Sequence, residues 1–130
     1  MNNVNALKEY QQTSVHSGVM DASPHRLIQM LLDGALSRIL SAKGALRQND
    51  IAKKGEQIGS AISIVDGLKA SLDFKQGGDI SKNLDALYEY INHILLQANI
   101  KSDVALLDEA GQLLSQIKMG WDAIAPNATR

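Results

Sequence analysis

Apolar residues recur at helical rather than strand spacing along most of this chain. Leucine, isoleucine and alanine return every three or four positions through four long segments, which places them on one face of a helix. Polar or glycine-rich stretches at residues 48–50, 75–79 and 100–102 separate these segments. The pattern predicts four helices. Three cover about residues 24–47, 51–74 and 81–99, and the fourth follows a cap at residue 103 and ends near residue 125.

Residues suited to helix ends stand at the predicted boundaries. Ser23 is a good N-cap, and Pro24 fits the first helical position, where its missing N–H costs no hydrogen bond. Asp50 and Asp103 are candidate caps of the second and fourth helices. Paired glycines usually end helices, so residues 75–79 are predicted to form a loop.

Short connections make consecutive helices antiparallel neighbours. The predicted fold is therefore all-α, an antiparallel up-down four-helix bundle with an additional short N-terminal helical segment packed on it. We expect one domain over residues 1–130, with a mobile N-terminal segment at 1–22, the bundle at 23–125 and a tail at 126–130.

Three of the four helices carry more apolar surface than one core needs. A surface helix buries an apolar arc of little more than about 100°, and the third helix, with about 120°, is close to this. The first and fourth helices carry arcs of about 180°, and the second about 160°. The excess fits a homodimer face, a more central helix, or a groove for the helices of a partner. Gly55 and Gly59 form a GxxxG motif, whose polar interior argues against a membrane helix.

Composition excludes several classes of function. The 130-residue chain has no cysteine, a net charge of −1 and a sequence pI near 6.3, so neither a disulfide framework nor a large nucleic-acid-binding face is expected. The N-terminus lacks the charge and apolar run of a secretory signal, and no apolar window approaches the ~20 residues of a membrane span. We therefore expect a cytoplasmic protein that does not insert into membranes.

No recognisable catalytic machinery occurs in the sequence. The three histidines, His16, His25 and His93, form no metal-binding motif, and the four glutamates do not supply a di-iron site. A histidine phosphotransfer bundle would carry His-x-x-Lys-Gly, whereas His93 is followed by Ile-Leu-Leu. We predict a protein that is not an enzyme and needs no cofactor.

A series of motifs in fixed order resembles the flagellin export chaperone family, FliS. The motifs extend over nearly the whole chain, and the departures are mild, with Leu32 where an aromatic residue is common and Glu89-Tyr90-Ile91 where Asp-Tyr-Met is usual. The matching positions are Tyr10, Ser14-Val15, residues 22–35, Lys54-Gly55-Glu56, residues 61–65, 67–73, 77–80 and 83–84, Leu87 to Tyr90, residues 97–99, Trp121 and Pro126.

The resemblance implies a function that residue chemistry alone does not reach. Members of this family bind the C-terminal region of flagellin, which is disordered when free, and keep it from polymerising. They present it to the cytoplasmic domain of the export gate protein FlhA, and the family also contacts the anti-sigma factor FlgM, a role left open for this chain. A generic helical adaptor or homodimerisation module, and a phosphotransfer domain using His93, are the alternatives. The oligomeric state expected is a monomer or weak homodimer.

Two sets of residues are the predicted binding sites. The edges of the apolar arcs predict a flagellin-binding groove of Ile64, Leu68, Leu106 and Leu113. Tyr90, which lies outside the core stripe of the third helix, is predicted to join them. Val4, Leu7 and Tyr10 recur every three residues, which predicts a short amphipathic turn, too short to be stable alone, resting on the bundle as a lid. The resemblance implies that Leu7 and Tyr10 also help the flagellin complex dock on FlhA.

Overall fold

Four helices make up the regular structure of residues 22–124, the part of the chain that the computed structural model describes. In chain order they are α1 (Pro24–Arg47), α2 (Ile51–Ala70), α3 (Phe74–Lys101) and α4 (Val104–Ala123). No strand occurs among these residues. The residues of the predicted N-terminal lid, including Leu7 and Tyr10, lie outside the described part of the chain.

The predicted caps are confirmed. Ser23 Oγ accepts a hydrogen bond from the backbone N–H of Arg26 at 3.1 Å, and Pro24 occupies the first turn of α1. The carboxylates of Asp50 and Asp103 accept from backbone N–H groups in the first turns of α2 and α4, at 3.1 and 2.9 Å. Each cap satisfies a donor that the helix itself leaves unpaired.

The predicted loop at residues 75–79 is wrong, and so is the predicted end of the second helix. Helix α2 ends at Ala70, and Asp73 begins a new helical turn by accepting from two backbone N–H groups at 3.0 Å. The chain then kinks at Gly78, whose φ of 50° is one that residues with a side chain rarely adopt. Ser81 Oγ donates to the Asp73 carbonyl at 2.9 Å, and a Cβ on Gly77 would lie 1.9 Å from that hydroxyl. The glycine pair therefore bends a helix instead of opening a loop.

The helices form the predicted antiparallel bundle. Each packs against its neighbours in sequence, and α4 returns to pack against α1. Contacts from α1 to α4 run in opposite directions, with Lys43 paired to Asp108 near one end and Gln29 bonded to Asp122 near the other. Each helix thus contributes an apolar face to one core, which contains Leu31, Leu32, Ile39, Ile58, Val65, Ile91, Leu95, Leu107 and Leu114.

A buried lysine of α2 is bonded to the end of α3, at the connection to α4. Lys54 is only 5% exposed, and its ammonium donates to the Asn99 carbonyl at 2.8 Å and to Ser102 Oγ at 3.1 Å. The last carbonyls of a helix lack intrahelical donors and carry partial negative charge. Lys54 therefore caps the C-terminus of α3 from α2. Within residues 22–124, no helix is both long and apolar enough to cross a membrane.

Candidate functional site

An apolar cavity of about 570 Å³ opens at one end of the bundle. The antiparallel order brings the start of α1, the end of α2, the kinked start of α3 and the end of α4 together there. The rim is formed by the turn that contains Gly77, and the apolar lining consists of Ile28, Leu32, Leu72, Ile80, Leu84, Tyr88, Ile117, Trp121 and Ile124. Concave, mostly apolar surfaces of this kind are common binding sites.

The cavity has a fixed wall on its α1–α4 side. The rings of His25 and Trp121 stack with centroids 4.5 Å apart and planes 9° from parallel. Trp121 Nε1 donates to the His25 carbonyl at 3.0 Å, which satisfies the indole N–H at a site that is only partly open to water. The stack and the hydrogen bond together hold the first turn of α1 against the last turn of α4.

A polar network beside this wall ties the same helix ends together. Asp122 accepts a hydrogen bond from Gln29 and another from Lys118, both at 2.7 Å, and Lys118 also lies 3.6 Å from Asp33. The hydrogen bond from Lys118 lowers the pKa of Asp122, and the same bond raises the pKa of Lys118. Asp122 and Lys118 therefore stay ionised at neutral pH and place charge beside the apolar cavity.

Large apolar side chains stand exposed around the mouth of the cavity. Ile80 is 72% exposed and Ile124 is 68% exposed, and Phe74 at the start of α3 is also exposed. Single exposed apolar residues are ordinary, but a cluster bordering an apolar cavity is typical of an interaction surface. The mouth can therefore accept apolar side chains from a second molecule.

The seam between α3 and α4 continues this surface along the bundle. Tyr90 on α3 donates its hydroxyl to Glu109 on α4 at 2.6 Å. On α4, Leu106 and Leu113 lie one helical turn to either side of Glu109, half-buried against the core. Ile117 follows one turn later and lines the end cavity. We call the end cavity and this seam together the α3–α4 groove.

The bond between Tyr90 and Glu109 crosses the groove at its exposed edge. Accepting this hydrogen bond, the Glu109 carboxylate raises the pKa of the Tyr90 hydroxyl, so the phenol stays protonated and keeps donating at neutral pH. The Tyr90 ring is 45% exposed, so part of its apolar surface faces water. A ring with one polar tip and one free face is well suited to contact a partner.

Three of the five predicted groove residues come together in the structure, and two do not. Tyr90, Leu106 and Leu113 all lie at the α3–α4 seam. Ile64 and Leu68, predicted at the edge of the apolar arc of α2, are 4% and 1% exposed, so the structure places them in the core. Helix α2 packs against both α1 and α3, and its wide apolar arc is used inside the bundle at these positions. Their contact with a client stays a prediction, and it would require the bundle to open.

Sequence reasoning missed the cavity mouth. Ile80 belonged to no predicted helix because the glycine pair before it indicated a loop, and Leu72 fell within the predicted second helix, which ends at Ala70 in the structure. A signal was present in the Asp73 cap, which precedes Phe74 as a cap precedes a helix. His93 is exposed, and within residues 22–124 no three His, Asp or Glu side chains are placed to hold a metal ion.

Comparison with known proteins gives consistent matches along the chain. The sequence model of a family described as flagellar protein FliS matches residues 6–128. The chain is 48% identical over 120 residues to flagellar secretion chaperone FliSB of Pseudomonas aeruginosa, covering 92% of this chain and 95% of the relative. It is 47% identical over 130 residues to flagellar secretion chaperone FliS of Salmonella typhimurium, covering 99% and 96%. The Bacillus subtilis protein of the same name is 32% identical over 117 residues, covering 90% and 84%.

Proposed function

The chain belongs to the FliS family of flagellar proteins, and from this premise we propose that it is an export chaperone for flagellin. It binds the C-terminal region of flagellin, prevents premature polymerisation and delivers the subunit to the flagellar type III export gate. The relatives are named as secretion chaperones rather than as enzymes, in agreement with a sequence that carries no catalytic motif. The observation that supports flagellin binding most directly is the apolar end cavity, with the half-buried Leu113 and Leu106 following it along α4.

The groove suits a client that folds as it binds. Ile124 follows Leu106 by 18 residues, so the groove is roughly 27 Å long at about 1.5 Å of helical rise per residue. An amphipathic client helix would place apolar side chains at i, i+3, i+4 and i+7 along this length. Its apolar face, which would otherwise drive polymerisation, would then be covered by the chaperone.

Apolar burial should dominate the thermodynamics of this complex. The chain has a net charge of −1, so it offers little long-range attraction for a client. Coupled folding and burial of a disordered segment should produce a clearly negative heat-capacity change. Titration calorimetry at several temperatures measures it, and a value near zero with steep salt dependence would contradict binding through the groove.

Exposed residues at the cavity mouth provide the sharpest test of the groove. We expect Ile80→Asp/Ile124→Asp to weaken binding of flagellin at least tenfold while the melting temperature stays near that of the parent, because both side chains face water in the free protein. Leu40→Asp is the matched control, since Leu40 is 64% exposed on α1 and does not line the end cavity. Flagellin lacking its C-terminal region should bind none of these proteins. Wild-type affinity in the mouth variant would refute the proposed site.

Delivery to the export gate is the second part of the proposal. Leu7 and Tyr10, which lie outside the described residues, would form a lid over the bundle and a docking element for the cytoplasmic domain of FlhA. The variant Leu7→Ala/Tyr10→Ala should keep its fold and bind flagellin, yet its complex should lose affinity for FlhA. A variant complex that docks as well as the parent would refute this role. Residence in the cytosol follows from the same proposal, and binding of FlgM rests on the family resemblance alone.

A further inference from the structure

A buried tyrosine forms part of the lining of the end cavity. Tyr88 on α3 is 3% exposed, and its ring packs with the hydrophobic core. Within residues 22–124, no group forms a hydrogen bond with its hydroxyl. The enclosed side-chain atoms without a partner in this part of the chain are His25 Nε2 and Asn92 Oδ1, so the Tyr88 hydroxyl is unpaired but not enclosed. It therefore meets the open space of the cavity.

The other polar side chains of the described lining are bonded within the bundle or exposed to water. Ser71 and Ser81 donate to backbone carbonyls at 2.7 and 2.9 Å, and Trp121 Nε1 donates to another at 3.0 Å. The polar side chains exposed at the mouth are Asp73, Gln76 and Gln116. The Tyr88 hydroxyl is thus the buried polar group of this lining that still has a hydrogen bond to give.

The ionisation of this hydroxyl fits it to donate. Burial raises the pKa of Tyr88 to about 12, so the phenol keeps its proton at neutral pH. A client that fills the cavity displaces water from the hydroxyl, and a buried donor without a partner costs free energy. Binding pockets commonly combine an apolar lining with a few polar groups that fix the orientation of the ligand. The cavity therefore favours a segment that brings a hydrogen-bond acceptor to Tyr88.

Core packing holds the donor in place before a client arrives. The ring of Tyr88 belongs to the same buried cluster as Leu32 of α1 and Ile91 of α3, both fully buried. A side chain enclosed in this way has little rotamer freedom left to lose when a ligand binds. The hydroxyl is therefore a preorganised donor at a fixed position in the cavity wall.

We propose that Tyr88 is a specificity-determining residue of the end cavity, whose hydroxyl donates a hydrogen bond to an oxygen of the client. This inference rests on the proposed chaperone function. The client class that Tyr88 selects is an amphipathic segment with one acceptor oxygen among the apolar side chains that fill the cavity. A side chain of Asn, Gln, Ser or Thr can supply this oxygen, and so can the last carbonyls of a helix that ends in the cavity.

Calorimetric titration of Tyr88→Phe with the C-terminal region of flagellin tests the proposal. The variant keeps the ring and loses only the hydroxyl, so its affinity should fall about three- to tenfold, the effect of one neutral hydrogen bond. Its melting temperature should stay at or above that of the parent, because the hydroxyl has no partner in the bundle to lose.

Ser60→Ala is the matched control for loss of a hydroxyl. Ser60 Oγ accepts from Arg38 Nε at 3.1 Å between α2 and α1, and Ser60 does not line the end cavity. This variant should show the opposite pattern, a lower melting temperature with unchanged affinity for flagellin, because its hydrogen bond lies within the bundle.

Substitution of the client identifies the source of the oxygen. Each Asn, Gln, Ser and Thr of the flagellin segment is replaced by alanine and titrated against the parent and against Tyr88→Phe. If a side chain supplies the oxygen, one substitution weakens binding to the parent and leaves binding to Tyr88→Phe unchanged. If a backbone carbonyl supplies it, the difference between the two proteins persists for every substituted client.

Two results would overturn the role of Tyr88 while the chaperone proposal stands. One is a Tyr88→Phe protein that binds flagellin with the affinity of the parent. The other is a Tyr88→Phe protein that melts more than about 4 °C below the parent, which would show that the hydroxyl is bonded within the fold. A parent that does not bind the C-terminal region of flagellin would instead overturn the proposed function and this inference with it.

Discussion

Truncation of Leu68 to alanine should destabilise the bundle severely, because this side chain is 1% exposed within the core. Removing about three methyl or methylene groups from an apolar environment costs roughly 2.4 kcal/mol at about 0.8 kcal/mol each. A residual cavity of roughly 50 Å³ adds about 1.2 kcal/mol at ~24 cal/mol per Å³. The expected loss in free energy of unfolding is therefore about 3–4 kcal/mol, a large part of the ~5–15 kcal/mol that stabilises a typical domain.

Tyr90→Ala provides the matched comparison, because Tyr90 was predicted to share a groove with Leu68 but is 45% exposed. The variant loses an exposed hydrogen bond to Glu109 and little buried area, so its cost should be about 1 kcal/mol or less. Binding of flagellin should weaken by about tenfold, or ~1.4 kcal/mol, because the free face of the ring is lost from the groove.

Thermal denaturation followed by far-ultraviolet circular dichroism distinguishes the two roles. At about 4 °C per kcal/mol, Leu68→Ala should melt roughly 12–16 °C below the parent and Tyr90→Ala no more than about 4 °C below it. Calorimetric titration with the C-terminal region of flagellin supplies the binding data. A Leu68→Ala protein that melts within about 2 °C of the parent would refute its place in the core. A Tyr90→Ala protein that binds with parental affinity would refute its place in the groove.

Three further changes test other features of the bundle. Gly77→Ala should lower the free energy of unfolding by about 1–3 kcal/mol, because the new Cβ would lie 1.9 Å from Ser81 Oγ. Gly59→Ala should not destabilise the monomer, because a Cβ there meets nothing within 4 Å. Equal melting temperatures for the two variants would contradict the tight turn at Gly77. Burial raises the pKa of Asp66 above its ordinary value of 3.8. The folded protein therefore holds a proton that the unfolded chain releases, and the stability of the parent falls as the pH rises from 3.8 through the folded pKa. Asp66→Asn has no carboxyl to titrate, so its free energy of unfolding should rise relative to that of the parent between pH 3 and pH 7 in urea titrations. A difference between the two proteins that does not change with pH would contradict the raised pKa of Asp66. Lys54→Met removes the hydrogen-bond donor to the end of α3 and should lower the free energy of unfolding by about 1.5–3 kcal/mol. Amide hydrogen exchange in the last turn of α3 should become faster. Unchanged exchange there would show that the lysine is not a cap.

Local signals in the sequence were sufficient for most helix boundaries. A cap acts through a hydrogen bond to a residue two or three positions away, so Ser23, Asp50 and Asp103 could be recognised without the fold. The same locality explains the error at residues 75–79. A glycine shows only that the backbone can adopt unusual dihedral angles at that position. Whether the chain forms a loop or a kink at Gly78 depends on contacts such as the hydrogen bond between Ser81 and Asp73.

Helical periodicity also determined which face of each helix is apolar, and with the short connections it determined the antiparallel bundle. Only tertiary structure decided which part of each apolar face stays uncovered. Leu68, at the edge of an apolar arc, and Tyr90, outside the core stripe of its helix, were assigned to the same groove, yet Leu68 is enclosed between neighbouring helices and Tyr90 borders an open seam. The physical reason is that exposure depends on how many neighbours a helix has and where they cross it. Those contacts join residues far apart in the chain, such as Tyr90 with Glu109 and Trp121 with His25, and no local spacing encodes them.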